Sequence, residues 1–102
     1  MVLMTDDEVR HKLEELPDWH RADAAEPSIT ATYQFDYFST ALGFVIEVGG
    51  DAEHMNHHPD IHILWNTVIL VLSTHSQGGL TRGDFEIARR ISRRHDRCRP
   101  RS

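Results

Sequence analysis

A chain of 102 residues, 39% hydrophobic and 26% charged, has the length and composition of one globular domain, and it lacks the apolar run of about 18 residues that a membrane-spanning helix needs. One cysteine, Cys98, excludes a disulfide framework, and the opening MVLMTDDEVR lacks the basic-then-apolar pattern of a secretory signal, so a reducing cytoplasm is the expected location. The net charge of −5 conceals an asymmetry, because seven of the eleven Lys and Arg residues lie between Arg89 and Arg101.

The first element is announced by TDDEVRHKLEEL, in which Thr5 and Glu8 have the spacing of a capping box and Met4 and Val9 that of a hydrophobic staple. Val9, Leu13 and Leu16 share one face, and Pro17 ends the helix. WHRAD reads as a short strand and Glu26-Pro27-Ser28 as a turn. ITATYQF then alternates, with Ile29, Ala31, Tyr33 and Phe35 on one side and Thr30, Thr32 and Gln34 on the other, the period of a half-buried strand.

From Asp36 the period lengthens. Phe38, Ala41, Leu42, Val45 and Ile46 follow the spacing of an amphipathic helix, expected to run to about Met55 despite Gly49 and Gly50. DIHILWNTVILVLSTH reads as two strands about a turn near Trp65-Asn66. The second strand, Val68 to Leu72, is apolar on both faces, which predicts helices on one face of the sheet and a second subunit on the other. After Gly78-Gly79, Thr81 and Asp84 form a second capping box, Leu80 and Phe85 a second staple, and Phe85, Ala88 and Ile91 the buried stripe of a last helix. The expected architecture is α+β, a two-layer sandwich of a four-stranded antiparallel sheet with three helices on one face, in the order α-β-β-α-β-β-α.

The arginine-rich end, ARRISRRHDRCRPR, reads as a nucleic-acid or acidic-partner tail or as a solvated helix face with cations at its C-terminus. The acidity of the rest of the chain and the lack of interleaved aromatics favour the second. Residues 1–95 are expected to form the single domain and 96–102 a disordered basic tail, with neither nucleic acid nor a membrane as partner.

EHMNHHPD, Glu53 to Asp60, holds three of the eight histidines. His54, His58 and His62 are four apart, a ligand spacing on a helix, but Pro59 breaks that helix and no cysteine pair completes a zinc pattern, so no metal is expected. Acid/base chemistry suits the side chain whose ordinary pKa lies near neutrality, on a proline-stiffened turn beside the loop that carries His75. Spacing leaves open whether the histidines share a pocket or scatter over the surface. Trp65 reads as core or as a wall of such a pocket, Trp19 as core edge or pocket flank, and His11, His20 and His95 as surface residues.

Taken in order, Glu53, three residues, His57-His58-Pro59, five residues, Trp65, nine residues, His75, eight residues and Asp84 resemble the signature of the pterin-4a-carbinolamine dehydratases. ALGFVIEV, LSTH, the GL before the last helix and the early Leu16-Pro17-x-Trp19 extend the resemblance over about Thr5 to Ile91. It implies a hydro-lyase without metal or organic cofactor that converts a 4a-hydroxytetrahydropterin to quinonoid dihydropterin and water in tetrahydrobiopterin recycling. The implied catalytic residues are His57, His58 and His75, with pterin contacts at Asn56, His57, His58, Ser73, Thr74, His75 and Ser76, and support from Glu53, Asp84 and Trp65. Asn56 departs from the family pattern, in which an acidic residue is common at that place. The resemblance also implies a homodimer or homotetramer, here expected to form through the sheet. Its alternative is a non-catalytic dimerisation or assembly partner, since family members also serve a homeodomain transcription factor and related domains assist assembly of a carbon-fixing carboxylase.

Overall fold

The computed structural model describes residues 2–23 and 25–98. Its elements are α1 (Asp6–Glu14), β1 (Trp19–Asp23), β2 (Pro27–Gln34), α2 (Phe38–Met55), β3 (Asp60–Leu64), β4 (Thr67–Leu72), a single 3-10 turn (His75–Gln77) and α3 (Arg82–Cys98). All strand pairs are antiparallel, in the order β1-β2-β4-β3, so the two hairpins lie side by side with β2 against β4. This is the expected α+β order, and among the described residues no helix is long and apolar enough to cross a membrane. The last helix continues through Cys98, past the domain end expected at residue 95, and 99–102 lie outside the described residues.

Local chemistry explains the ends of the elements. The Thr5 hydroxyl accepts from the Glu8 amide at 3.1 Å while the Glu8 carboxylate accepts from the Thr5 amide at 2.9 Å. These bonds from the Thr5 amide and hydroxyl hold the Glu8 carboxyl below its ordinary range. The expected turn at Glu26-Pro27-Ser28 lies earlier, because Pro27 and Ser28 already pair with Asp23 and Ala22. Proline is tolerated there as the first residue of its strand.

The core forms between the sheet and the helices. Ile29, Ala31 and Tyr33 of β2 face inward beside Val68, Leu70 and Leu72 of β4, and Val9, Phe85, Ile87, Ala88 and Ile91 close over them. Alternation placed the β2 residues correctly, but the period of α2 did not place its face. Ala41, Phe44, Val48 and Ala52 are the buried residues, whereas Phe38, Leu42 and Ile46 are exposed and Val45 is only partly covered. Apolar side chains surround this helix, so periodicity could not choose between its faces. Packing chose: the Phe44 ring lies 5.3 Å from Tyr33 and 5.1 Å from Phe35, centroid to centroid.

His95, expected at the surface, stacks against these rings, 4.3 Å from Tyr33 and 5.7 Å from Phe35. Trp19 is core, and its indole N–H donates to Ser92 Oγ at 3.0 Å. Burial pushes the neighbouring Tyr33 hydroxyl well above its ordinary titration range. The outer face of the sheet is less apolar than β4 alone suggested. Ile69 and Val71 are half-buried there, but their cross-strand neighbours are Thr30, Thr32, His62 and Asp60.

One charged residue lies within the helix layer. Asp51 of α2 is 2% exposed and accepts from Arg90 Nε at 2.8 Å, from Arg94 Nη2 at 2.8 Å and from Arg94 Nε. The Arg94 hydrogen bond, opposed by burial and aided by Arg90, holds the Asp51 carboxyl below its ordinary value of 3.8. A carboxyl lowered by folding stabilises the fold above its unfolded pKa and loses that contribution as pH falls through its folded pKa.

Two stability measurements test this layout by urea unfolding. Phe44→Ala is expected to cost about 3–5 kcal/mol, the range for removing a buried ring. Asp51→Asn is expected to cost about 1–3 kcal/mol at neutral pH, because the two arginines it pairs stay partly hydrated. The deficit should shrink as pH falls below 3.8, and a deficit of constant size down to acid unfolding would contradict the ion-pair reading.

Candidate active site

The strand registers bring distant parts of the chain to one end of the sheet. In the β3–β4 hairpin Asp60 faces Val71, so the register carried outward sets His58 across from Ser73 and His57 across from Thr74. In the β2–β4 pair Ile29 faces Leu72, and the same extension sets Glu26 across from His75. Ser73 Oγ confirms that the segments stay together, donating to the Pro27 carbonyl at 2.8 Å. The end of α2, the start of α3 and the β1–β2 turn therefore meet where β4 leaves the sheet.

His57 is delivered by the helix end. Asn56 caps α2 in the left-handed region, φ 49° and ψ 45°, which asparagine tolerates better than most residues. The His57 amide then bonds back to the Ala52 carbonyl at 3.0 Å, closing the helix end. Its ring is mostly covered and lies with Nε2 2.6 Å from Asp84 Oδ1.

Asp84 is fully buried, and its other oxygen accepts from the Thr81 amide at 2.9 Å and from Thr74 Oγ at 2.8 Å. Thr81 Oγ lies 2.8 Å from Thr74 Oγ. Since the Thr74 hydroxyl spends its one proton on the carboxylate, the Thr81 hydroxyl donates to Thr74. Against an accepting carboxylate His57 donates from Nε2, which leaves Nδ1 outside that bond. Asp84 thus caps α3, as its position after Thr81 predicts, and holds a histidine as well.

His75 begins the 3-10 turn, in a loop closed by the Thr74 amide on the Gly79 carbonyl at 2.8 Å. Its side chain is 67% exposed, and Nδ1 meets the Glu26 carboxylate in a short hydrogen bond. That leaves Nε2 toward the open side. Glu26 was read only as a turn residue, and its partnership with His75 spans 49 positions in sequence. Only the β2–β4 register could have revealed it.

The other predicted site residues divide. Thr74 belongs to the Asp84 network, and Ser73 ties its loop to β2. Asn56, His58 and Ser76 are exposed beside them. Glu53 faces His58 with Oε1 3.6 Å from Nε2, both side chains solvated, a separation too long for a hydrogen bond. Trp65 is a correction on two counts. It is 69% exposed and not core, and it occupies the β3–β4 turn with φ 56°, at the opposite end of β4 from His75. Six residues of β4 put about 20 Å between those ends, so within one chain Trp65 does not stand beside His75. His54 lies on α2 and His62 on the outer face of β3, away from His58 in the loop, and among the described residues no three potential ligands cluster.

Thr74→Val tests the network by leaving both Thr81 Oγ and Asp84 Oδ2 short of a partner. The expected cost in urea unfolding is about 1–3 kcal/mol, and a neutral result would show that the threonine relay carries no weight.

The chain matches the family described as Pterin 4 alpha carbinolamine dehydratase over residues 2–94. It is 44% identical over 89 residues to a relative from Nocardia farcinica, covering 87% of this chain and 90% of that one. It is 43% identical over 97 residues to one from Mycobacterium sp. (strain KMS), covering 95% of this chain and all of that one. Both relatives are named for the same family. The crystal structure of a transcriptional coactivator/pterin dehydratase from Brucella melitensis superposes with a TM-score of 0.87 at 33% identity, covering 92% of this chain and 99% of that one. A pterin dehydratase-like RuBisCO assembly factor of the alpha-carboxysome shares the fold, with a TM-score of 0.66 at 16% identity over 76% of this chain and 89% of its own. By sequence over nearly its whole length, and by fold, the chain belongs to the pterin-4-alpha-carbinolamine dehydratase family.

Proposed function

We propose that this protein is a hydro-lyase that dehydrates a 4a-hydroxytetrahydropterin to the quinonoid dihydropterin, within tetrahydrobiopterin recycling. One observation carries the reading. Two imidazoles at the same end of the sheet, the largely covered His57 and the exposed His75, are each tied through one ring nitrogen to a carboxylate, which leaves the other nitrogen of each free of that bond. That is the arrangement of a general acid and a general base, with neither a metal nor an organic cofactor required.

The reaction breaks one C–O bond. A proton reaches the hydroxyl on the bridgehead carbon, the C–O bond cleaves, water departs, and a ring nitrogen gives up its proton as the new double bond forms. In this reading His57 and His75 carry the two proton transfers, while the more exposed His58 stacks on or orients the ring. Asn56, Ser73, Thr74 and Ser76 border the same strand ends and supply polar contacts to the pterin edge. Asp84 and Glu26 are positioning residues, because each acts by fixing the tautomer and orientation of its histidine.

Assembly into a homodimer or homotetramer belongs to the same reading. The exposed Phe38, Leu42 and Ile46 of α2 offer one apolar surface for it, and the half-buried Ile69 and Val71 on the outer face of the sheet offer another.

The test generates the 4a-hydroxypterin in situ and follows its dehydration by absorbance. His57→Ala and His75→Ala are each expected to lower kcat by about 100-fold or more, the scale of a lost acid or base. His58→Ala should act mainly on KM. Asp84→Asn should lower kcat by about 10–100-fold with KM near wild type, and should change the pH profile of kcat, which a merely structural role would not do. Wild-type turnover in both the His57 and the His75 variants would refute the proposal and favour a non-catalytic assembly role.

A further inference from the structure

Five arginines of α3 line a cleft of about 330 Å³ between α3 and α2: Arg89, Arg90, Arg93, Arg94 and Arg97. They recur every three to four residues, so they occupy successive turns of one helix face. Met55 and Glu86 close the cleft at the end nearer the histidines. We propose that this cleft binds a small anion bearing at least two phosphate groups, at a site distinct from the histidine cluster.

The site is built, in that part of it is locked. Buried Asp51 holds Arg90 by Nε, which fixes the direction of its two Nη groups, and holds Arg94 by both Nε and Nη2, so Arg94 contributes charge and rigidity while Arg90 keeps free donors for a ligand. The carboxylates in reach do not neutralise the group. Asp51 serves two arginines, Glu86 lines the cleft, Glu47 lies 3.6 Å from Arg94, and Glu15 lies 3.5 Å from Arg89 near the surface. Among the described residues no carboxylate lies within ion-pairing distance of Arg93 or Arg97. A chain of net charge −5 thus gathers five guanidinium groups in one concavity, where their mutual repulsion favours an anionic occupant.

The geometry selects the class of anion. Guanidinium forks match phosphate oxygens in pairs. Arg93 and Arg97 are four residues apart, about 6 Å along the axis, a spacing that two linked phosphates span with one guanidinium on each. The cleft has the volume of a small-molecule pocket. An extended nucleic acid would meet a chain that is acidic overall, with a net charge of −5. No aromatic side chain lines the cleft to stack a base.

Thermal unfolding of the full chain with inorganic pyrophosphate, at constant ionic strength, tests the site. A ligand that binds only the folded state should raise Tm by about 10 °C at a hundredfold excess over its Kd. The double variant Arg93→Ala/Arg97→Ala should weaken pyrophosphate binding by about tenfold or more, two lost charge-assisted contacts being ample for that. Its ligand-free Tm should equal or exceed wild type, because the substitution removes like charges and no ion pair. Arg10→Ala, on α1, should bind pyrophosphate as wild type does. No Tm response to pyrophosphate, or an equal response in the double variant, overturns the proposal. So does a single-stranded oligonucleotide that binds and is not displaced by pyrophosphate, which would make the face a nucleic-acid surface.

Discussion

The buried carboxylate of Asp84 joins three parts of the chain that share no sequence proximity. Toward its own helix it accepts the Thr81 amide, one of the unpaired donors at the start of α3. Toward the sheet it accepts the Thr74 hydroxyl, in the segment that leaves β4. Toward the end of α2 it holds the ring of His57. A fully buried carboxylate is tolerable only when its lone pairs are satisfied, and each donor here comes from a different element. The same carboxylate that starts the last helix therefore also fixes the ring of His57, and neither bond can be varied without the other.

The two histidine–carboxylate pairs differ in a way that follows from their settings. His57 is mostly covered and its partner fully so, which suits a ring held in one tautomer and one orientation. His75 stands at the rim, two-thirds exposed, on a loop closed by a short bridge between Thr74 and Gly79. A rim histidine can exchange protons with solvent while a covered one keeps its geometry. The register of the central strands brings both pairs to the same end of the sheet.

Charge is distributed with similar economy. The acidic residues spread over all three helices, the strand ends and the loops, whereas the basic residues concentrate on α3. Asp51 reconciles this arginine-rich helix with α2, because a single buried carboxylate anchors two of its guanidinium groups. The remaining arginines are what gives the cleft its excess of positive charge. An arginine run that composition alone would assign to a solvated helix face acquires, through its packing against α2, a concave shape and a fixed set of donors.

Much of the fold was legible from local rules. Thr5–Glu8 and Thr81–Asp84 announced two helix starts, alternation from Ile29 to Phe35 placed an inward face, and the period change at Asp36 marked a third helix, because caps and periodicities act within a few residues. The family resemblance carried by the pattern from Glu53 to Asp84 named His57, His58 and His75 as the candidate site residues. What stayed hidden depends on which surfaces meet. The buried face of α2 turned on Phe44 finding Tyr33 and Phe35, since apolar residues surround that helix. His95 became an aromatic neighbour for the same reason. Trp65 went to an exposed turn although its type suggests burial. Glu26 reached His75, and Asp51 its two arginines, across 39 to 49 positions of chain. Propensity and capping are short-range and are written in neighbouring residues. Register and helix orientation are set by the whole core packing at once, and only they could turn a list of histidines, carboxylates and arginines into a site.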